Sequence, residues 1–132
     1  MLKGKKIVLG VTGGIAVYKA VDLVSKLRKE GADVRVVMTE SAAKFVTPLT
    51  FKEISGNTVA VSMWAEDQEF HVEHIALADW ADLMIIAPAT ANILAKAANG
   101  IADDLLSTVI LESKTPIVLC PAMNCQMYIN PI

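Results

Sequence analysis

KKIVLGVTGGIAVYK, residues Lys5 to Lys19, decides the reading of the fold. Its apolar run Ile7-Val8-Leu9-Gly10-Val11 has the length and branched character of a buried strand, and lysines bound it. The run stops at Thr12-Gly13-Gly14, and helical periodicity takes over at once. Ala16, Ala20, Leu23, Val24 and Leu27 share one helical face, with Asp22, Lys26, Arg28, Lys29 and Glu30 off it. Strand, glycine turn and helix in that order open a βαβ unit. At such a turn the unpaired N–H groups of the first helical turn and the positive end of the helix dipole converge, which suits a phosphate. The turn has neither the G-x-G-x-x-G of a dinucleotide fold nor the G-K-[ST] ending of a P-loop. Glycine is also the default for tight turns, so Gly13-Gly14 alone supports an anion cradle and nothing finer.

The rest of the chain repeats the alternation. Gly31 stands where a helix C′ cap belongs, and Asp33 to Met38 reads as the second strand. Thr39 and Ser41 follow at its carboxyl end, before a short helix from Ala42 to Phe45. They suit capping that helix and also suit touching a ligand, because open α/β sheets bind at the carboxyl ends of strands. Pro48 to Ile54 suggests another short helix, Ser55-Gly56-Asn57 a turn, and Thr58 to Val61 a short edge piece. Trp64 to Val72 is a polar interruption, a surface loop or a lid. His74 to Trp80 is helical. Leu83 to Ala87 is apolar throughout, as expected of a strand covered on both faces, and Pro88 to Asn92 ends it. A helix to Ala98, a stop at Asn99-Gly100, a helix opened by Asp103-Asp104 and a strand from Pro116 to Cys120 complete the pattern. This is an α/β chain: a three-layer, doubly wound parallel sheet of Rossmann-like or flavodoxin-like type.

Composition narrows the function classes. A length of 132 residues with 54% hydrophobic content suits one domain with a substantial core. The net charge of −2 gives no basic footprint for nucleic acid. No apolar run has the length of a membrane span, and MLKGKK runs straight into the first strand without the pattern of a signal peptide, so a cytoplasmic location is expected. Cys120 and Cys125 have no second pair, which indicates neither a disulfide framework nor a zinc site. The mean hydropathy of +0.47 hints at subunit contacts. The abrupt end at Asn130-Pro131-Ile132 suggests a piece of something longer.

Three strand ends converge on one edge of such a sheet: Gly13-Gly14, the PATAN loop Pro88 to Asn92, and Pro121-Ala122-Met123-Asn124. Small residues there let a flat or phosphorylated ligand approach the backbone, and both later loops carry an asparagine that can donate and accept. His71 and His74 are the candidates for acid–base work; spaced by three with Glu73 between, they lack a third ligand for a metal. Asp103-Asp104 reads as a helix cap, Cys120 as a buried strand residue, and Lys19 as a residue that reaches a phosphate or faces solvent.

Together KKIVLGVTGGIAVYK, GADVRVVMTESA, HIALADWADLMIIAPATANILAKAANGIADDLLS and PAMNCQMY resemble the flavin-dependent cysteine decarboxylases, and within them the phosphopantothenoylcysteine decarboxylases. The resemblance covers nearly the whole chain. It implies FMN, with its phosphate near Gly13, Gly14, Ile15 and the Thr90-Ala91-Asn92 loop, with Thr39 and Ser41 beside the flavin and Ala122 near its ring. It implies His74 as the active-site histidine that assists removal of the thiol proton. Asn124 would bind the cysteine carboxylate, and Met123 would form part of that pocket. The implied reaction converts 4′-phosphopantothenoylcysteine to 4′-phosphopantetheine: oxidation to a thioaldehyde creates an electron sink, CO₂ leaves, and the ene-thiol is reduced. The family's flap cysteine beyond PAMN is missing, and Cys125 lies too close to PAMN to replace it; without it, decarboxylation would proceed while release of the reduced product failed. A fused or partner phosphopantothenate–cysteine ligase and assembly as trimers, or dodecamers of trimers, are also implied.

A flavin prenyltransferase is a second reading, but it needs no pairing of His74 with PAMN. A non-enzymatic FMN-binding regulatory subunit is a third. A nicotinamide dehydrogenase fits less well, because the third glycine is missing and Glu40 suits the ribose position poorly.

Overall fold

The computed structural model describes residues 1–62 and 73–132, with the side chains of residues 73 and 74 outside that description. The expected polar interruption and His71 lie outside the described residues. Four strands, β1 (Lys6–Val11), β2 (Asp33–Met38), β3 (Leu83–Ala89) and β4 (Ile117–Pro121), form one parallel sheet in the order β2-β1-β3-β4. Among the described residues the helices are α1 (Val17–Lys29), α2 (Pro48–Ser55), α3 (Glu73–Trp80), α4 (Ala91–Asn99), α5 (Leu105–Glu112) and α6 (Cys125–Ile129), with a 3₁₀ turn at Ala42–Lys44. β1 is central, and the chain reverses its winding direction between β1 and β3. That crevice is where open α/β sheets take ligands.

Strand alternation sorts the side chains into two cores. Ile7, Leu9 and Val11 of β1 pack with Val34, Val36 and Met38 of β2 against Val17, Ala20 and Val24 of α1 and Phe51 of α2. Val8, Met84 and Ile86 face the other way, onto Leu77 and Ala78 of α3, Ile93 of α4 and Leu105, Leu106 and Val109 of α5. Period-two alternation on a sheet covered on both sides gives this three-layer arrangement directly. The α1 face matches the expected one at Ala20 and Val24, with Leu23 and Leu27 partly buried; Val17 is buried as well, and Ala16 stands before the helix as its N-cap. Gly31 does stand after the α1 C-cap with φ +95°, a conformation glycine alone adopts without strain.

Three local readings change. β3 continues through Pro88, across a cis Ala87–Pro88 peptide, to Ala89. Its pairing with β4 shifts register between Ile86 and Ala89, so Ala89 joins the α5-side core although its odd position predicts the other face. The expected edge piece near Thr58 reduces to one bridge between Val37 and Ala60. Cys120 is exposed, not buried. β4 is the outer strand of the described sheet, and Val118 and Leu119 beside Cys120 are 46% and 41% exposed. A fully apolar run is the same whether its strand is central or at an edge.

Candidate active site

The β1–α1 turn, the end of β2 and the end of β3 enclose a cavity of about 380 Å³. Gly13 lies on one wall with Thr39 and Ser41; Thr90, Asn92 and Lys96 form the other. The two walls are tied together by a residue at the tip of the β1 strand. Thr12 is 2% exposed, and its hydroxyl donates to the Pro88 carbonyl while accepting from the Thr90 N–H at 3.0 Å. The Thr12 backbone N–H also reaches the Pro88 carbonyl, at 3.3 Å. A buried hydroxyl satisfied on both sides holds two loops in one register.

Each wall has its own local reason. Gly13 is required by packing: a Cβ there would stand 2.9 Å from the Ser41 carbonyl carbon and closer still to the Ser41 side chain. Gly14 is different, because a Cβ there would meet nothing within 4 Å. It leaves open the approach to the α1 N-terminus, which has no side-chain cap and no acidic residue in its first turn. The Thr39 hydroxyl caps the following turn, as expected, by accepting from the Ala42 N–H at 3.1 Å, and the residue lines the cavity. Ser41 lines the cavity but makes no side-chain cap. Thr90 caps α4 by accepting from the Ile93 N–H at 3.3 Å. The polar lining is therefore mainly hydroxyls, those of Thr39, Ser41 and Thr90, with the Asn92 amide and the Lys96 ammonium, groups that suit a phosphate or polyol.

The other predicted residues do not line this cavity. Ile15 is 79% exposed beside it, and Ala91 opens α4. Lys19 faces solvent against the Tyr18 ring and does not line the cavity. The PAMN loop is held to the same sheet edge by the Ala122 N–H, which donates to the Ala89 carbonyl at 3.0 Å. Asn124 caps α6: its side-chain oxygen accepts from the Gln126 N–H at 3.1 Å. Met123 lines a second, shallower depression with Pro121, Cys125 and Tyr128. His74 lies in the first turn of α3. The last turn of that helix adjoins the start of β3, where the Asp82 N–H donates to the Lys6 carbonyl at 2.7 Å, so its first turn is at the opposite, carboxyl end of the sheet.

Four residues at the site carry more than their sequence context suggested. Thr12 read as the stop of a strand; the signal was a hydroxyl directly after an apolar run. Lys96, Asp103 and Asp104 all line the cavity, although nothing in the local sequence marks Lys96 and the aspartates read as a cap. Asp104 is that cap, in a reciprocal box with Ser107. Asp103 instead pairs with Lys96 at 2.8 Å. This hydrogen bond holds the Lys96 ammonium above the usual lysine value and the Asp103 carboxyl below the usual carboxylate range. Among the described residues, no cluster suited to a metal ion is present.

A flavoprotein family model matches residues 1–132, the entire chain. The chain belongs to the flavoprotein family. It is 52% identical over 131 residues to the coenzyme A biosynthesis bifunctional protein CoaBC of Bacillus subtilis, covering 99% of this chain and 32% of that protein. The chain thus spans about a third of the length of the curated relatives it matches. Among solved structures it is similar to the FMN-dependent cysteine decarboxylase SpaF, with a TM-score of 0.91, 35% identity and coverage of 99% of this chain and 75% of that one. It is also similar to a PPC decarboxylase variant complexed with pantothenoylaminoethenethiol, at a TM-score of 0.78 and 32% identity, covering 96% and 71%. Among the described residues no helix is long and apolar enough to cross a membrane.

Proposed function

We propose that this protein catalyses FMN-dependent decarboxylation of 4′-phosphopantothenoylcysteine to 4′-phosphopantetheine in coenzyme A biosynthesis. The observation that carries the reading is the hydrogen bond from Ala122 to Ala89, which holds the PAMN loop at the edge where the phosphate-type cavity opens. Support also comes from the similarity to CoaBC and to FMN-dependent cysteine decarboxylases. The residues fit the cofactor: Gly14 leaves room, Gly13 and the Thr90 to Asn92 loop suit its phosphate, and Thr39 and Ser41 suit the flavin beside it. FMN, when bound, supplies hydride acceptance from the thiol-bearing carbon and later hydride return. The protein's part is orientation. Asn124, with its oxygen held by Gln126, directs its amide N–H groups outward to bind the substrate carboxylate. His74 takes the thiol proton, and Met123 and Ala122 wall the substrate and flavin.

In the same proposal, residues 1–132 form the flavin-binding unit beside a substrate flap and a phosphopantothenate–cysteine ligase. The unit works in the cytoplasm as a homo-oligomer, a trimer or a dodecamer of trimers, which suits the exposed apolar residues of β4 and α6. The test is CO₂ release from phosphopantothenoylcysteine by FMN-loaded protein, with and without Asn124→Asp. The substitution replaces a carboxylate-binding amide by a like charge, and turnover is expected to vanish while FMN remains bound. FMN-loaded wild-type protein that releases no CO₂ would overturn the enzyme reading and leave a flavin-binding subunit.

A further inference from the structure

The cavity poses an electrostatic problem for an anionic ligand. Three acids line it, Glu40, Asp103 and Asp104, and Lys96 is the one base among the described lining residues. That base is already engaged, with Nζ 2.8 Å from Asp103 Oδ1. Asp104 is held elsewhere, since its Oδ1 accepts from the Ser107 N–H at 2.8 Å.

The ion pair is lopsided. The Lys96 side chain is 17% exposed and lines the cavity, whereas the Asp103 side chain is 59% exposed. Releasing a carboxylate that is already largely hydrated costs little, and pairs open to solvent hold weakly. An ammonium at the cavity wall can take an anion brought in from that side. Lysine is suited to a change of partner, because its charge is a point on a flexible stem without the fixed planar fork of arginine.

We propose that Lys96 exchanges partners: it holds Asp103 in the ligand-free protein and the phosphate of the mononucleotide in the complex, with Asp103 turning to solvent. The inference rests on the reading of this cavity as a flavin phosphate site. Asp103 is then an internal competitor of the ligand. It keeps the ammonium charged and positioned while the cavity is free, and it lowers the affinity for the phosphate by the strength of the pair.

The experiment measures dissociation constants of FMN and of riboflavin, which lacks the phosphate, by flavin fluorescence quenching. It compares the whole chain with Lys96→Gln, Lys96→Arg and Asp103→Asn. Lys96→Gln is expected to weaken FMN about 10- to 100-fold, the range of a hydrogen bond to a charged group, and to leave riboflavin nearly unchanged. Lys96→Arg should retain most FMN affinity. Asp103→Asn should tighten FMN, because the competitor is gone. A merely structural clasp between α4 and the following loop predicts the opposite sign. In that case Asp103→Asn weakens FMN as Lys96→Gln does, riboflavin weakens in parallel, and the exchange is refuted. Asp103→Asn keeps Lys96, so its arm stands even if Lys96→Gln fails to fold. Folded wild-type protein that binds neither flavin would overturn the flavin reading itself. The exchange is then decided with inorganic phosphate by calorimetry, and phosphate uptake indifferent to Lys96 would overturn it.

Discussion

Thr12→Val is the most direct probe of how the site is assembled. Valine keeps the branched shape of threonine and its apolar contacts, and puts a methyl where the hydroxyl makes its two hydrogen bonds. Both are lost: the hydrogen bond to the Pro88 carbonyl and the acceptor for the Thr90 N–H. Their losses are unequal. The Pro88 carbonyl keeps the backbone N–H of Thr12 at 3.3 Å, whereas no other protein acceptor is seen for the Thr90 N–H among the described residues. One donor without a partner beside a 2%-exposed side chain costs about 1–3 kcal/mol. Thr90 is half-buried at the cavity rim, where water can reach it, so the lower half of that range, about 1–2 kcal/mol, is expected. For a domain of this size that is a fall in Tm of roughly 4–8 °C. Circular dichroism melts of wild type, Thr12→Val and Thr12→Ser give the stability. FMN titration of the same proteins gives the function, because the two loops held by this hydroxyl form both walls of the cavity. Thr12→Ser should recover most of both losses. A valine variant that melts within about 1 °C of wild type and binds FMN equally well would refute the claim that this hydroxyl sets the register of the loops.

The two turn glycines should separate cleanly. Gly13→Ala drives a methyl into Ser41, backbone included, and should cost about 1–3 kcal/mol in a denaturant melt. Gly14→Ala meets open space and has no left-handed φ, so its melt should match wild type to within about 1 kcal/mol while FMN affinity falls. Asp104→Ala removes the α5 cap and should cost about 1–2 kcal/mol; Asp104→Asn, which keeps an acceptor for the Ser107 N–H, should restore most of it.

How far the sequence reached depended on the range of the interactions involved. Period-two and helical patterns are local, and they already dictate β1, α1, β3 and the α/β class, because apolar residues on one face must be buried whatever they meet. The Asp104 cap and the Gly31 helix stop are local too, decided by one turn of backbone. The convergence of the Gly13-Gly14, PATAN and PAMN loops also followed, since parallel strands with crossover helices put all carboxyl ends on one edge. What depends on strand order could not be read along the chain. Cys120 is exposed because β4 is the outer strand of the described sheet, and an apolar run looks the same at an edge as at the centre. Ala89 sits on the unexpected face because pairing with β4 slips by a register that period-two counting assumes constant. Thr12 acts through residues 76 and 78 positions away. Lys96 meets Asp103 only because Gly100, with φ +68°, ends α4 and the chain turns back toward the cavity. The pattern of residues determined which elements form and which ends carry small, polar loops. Only the packed sheet decided which hydroxyl ties those loops together and which cation, among the described residues, faces the space between them.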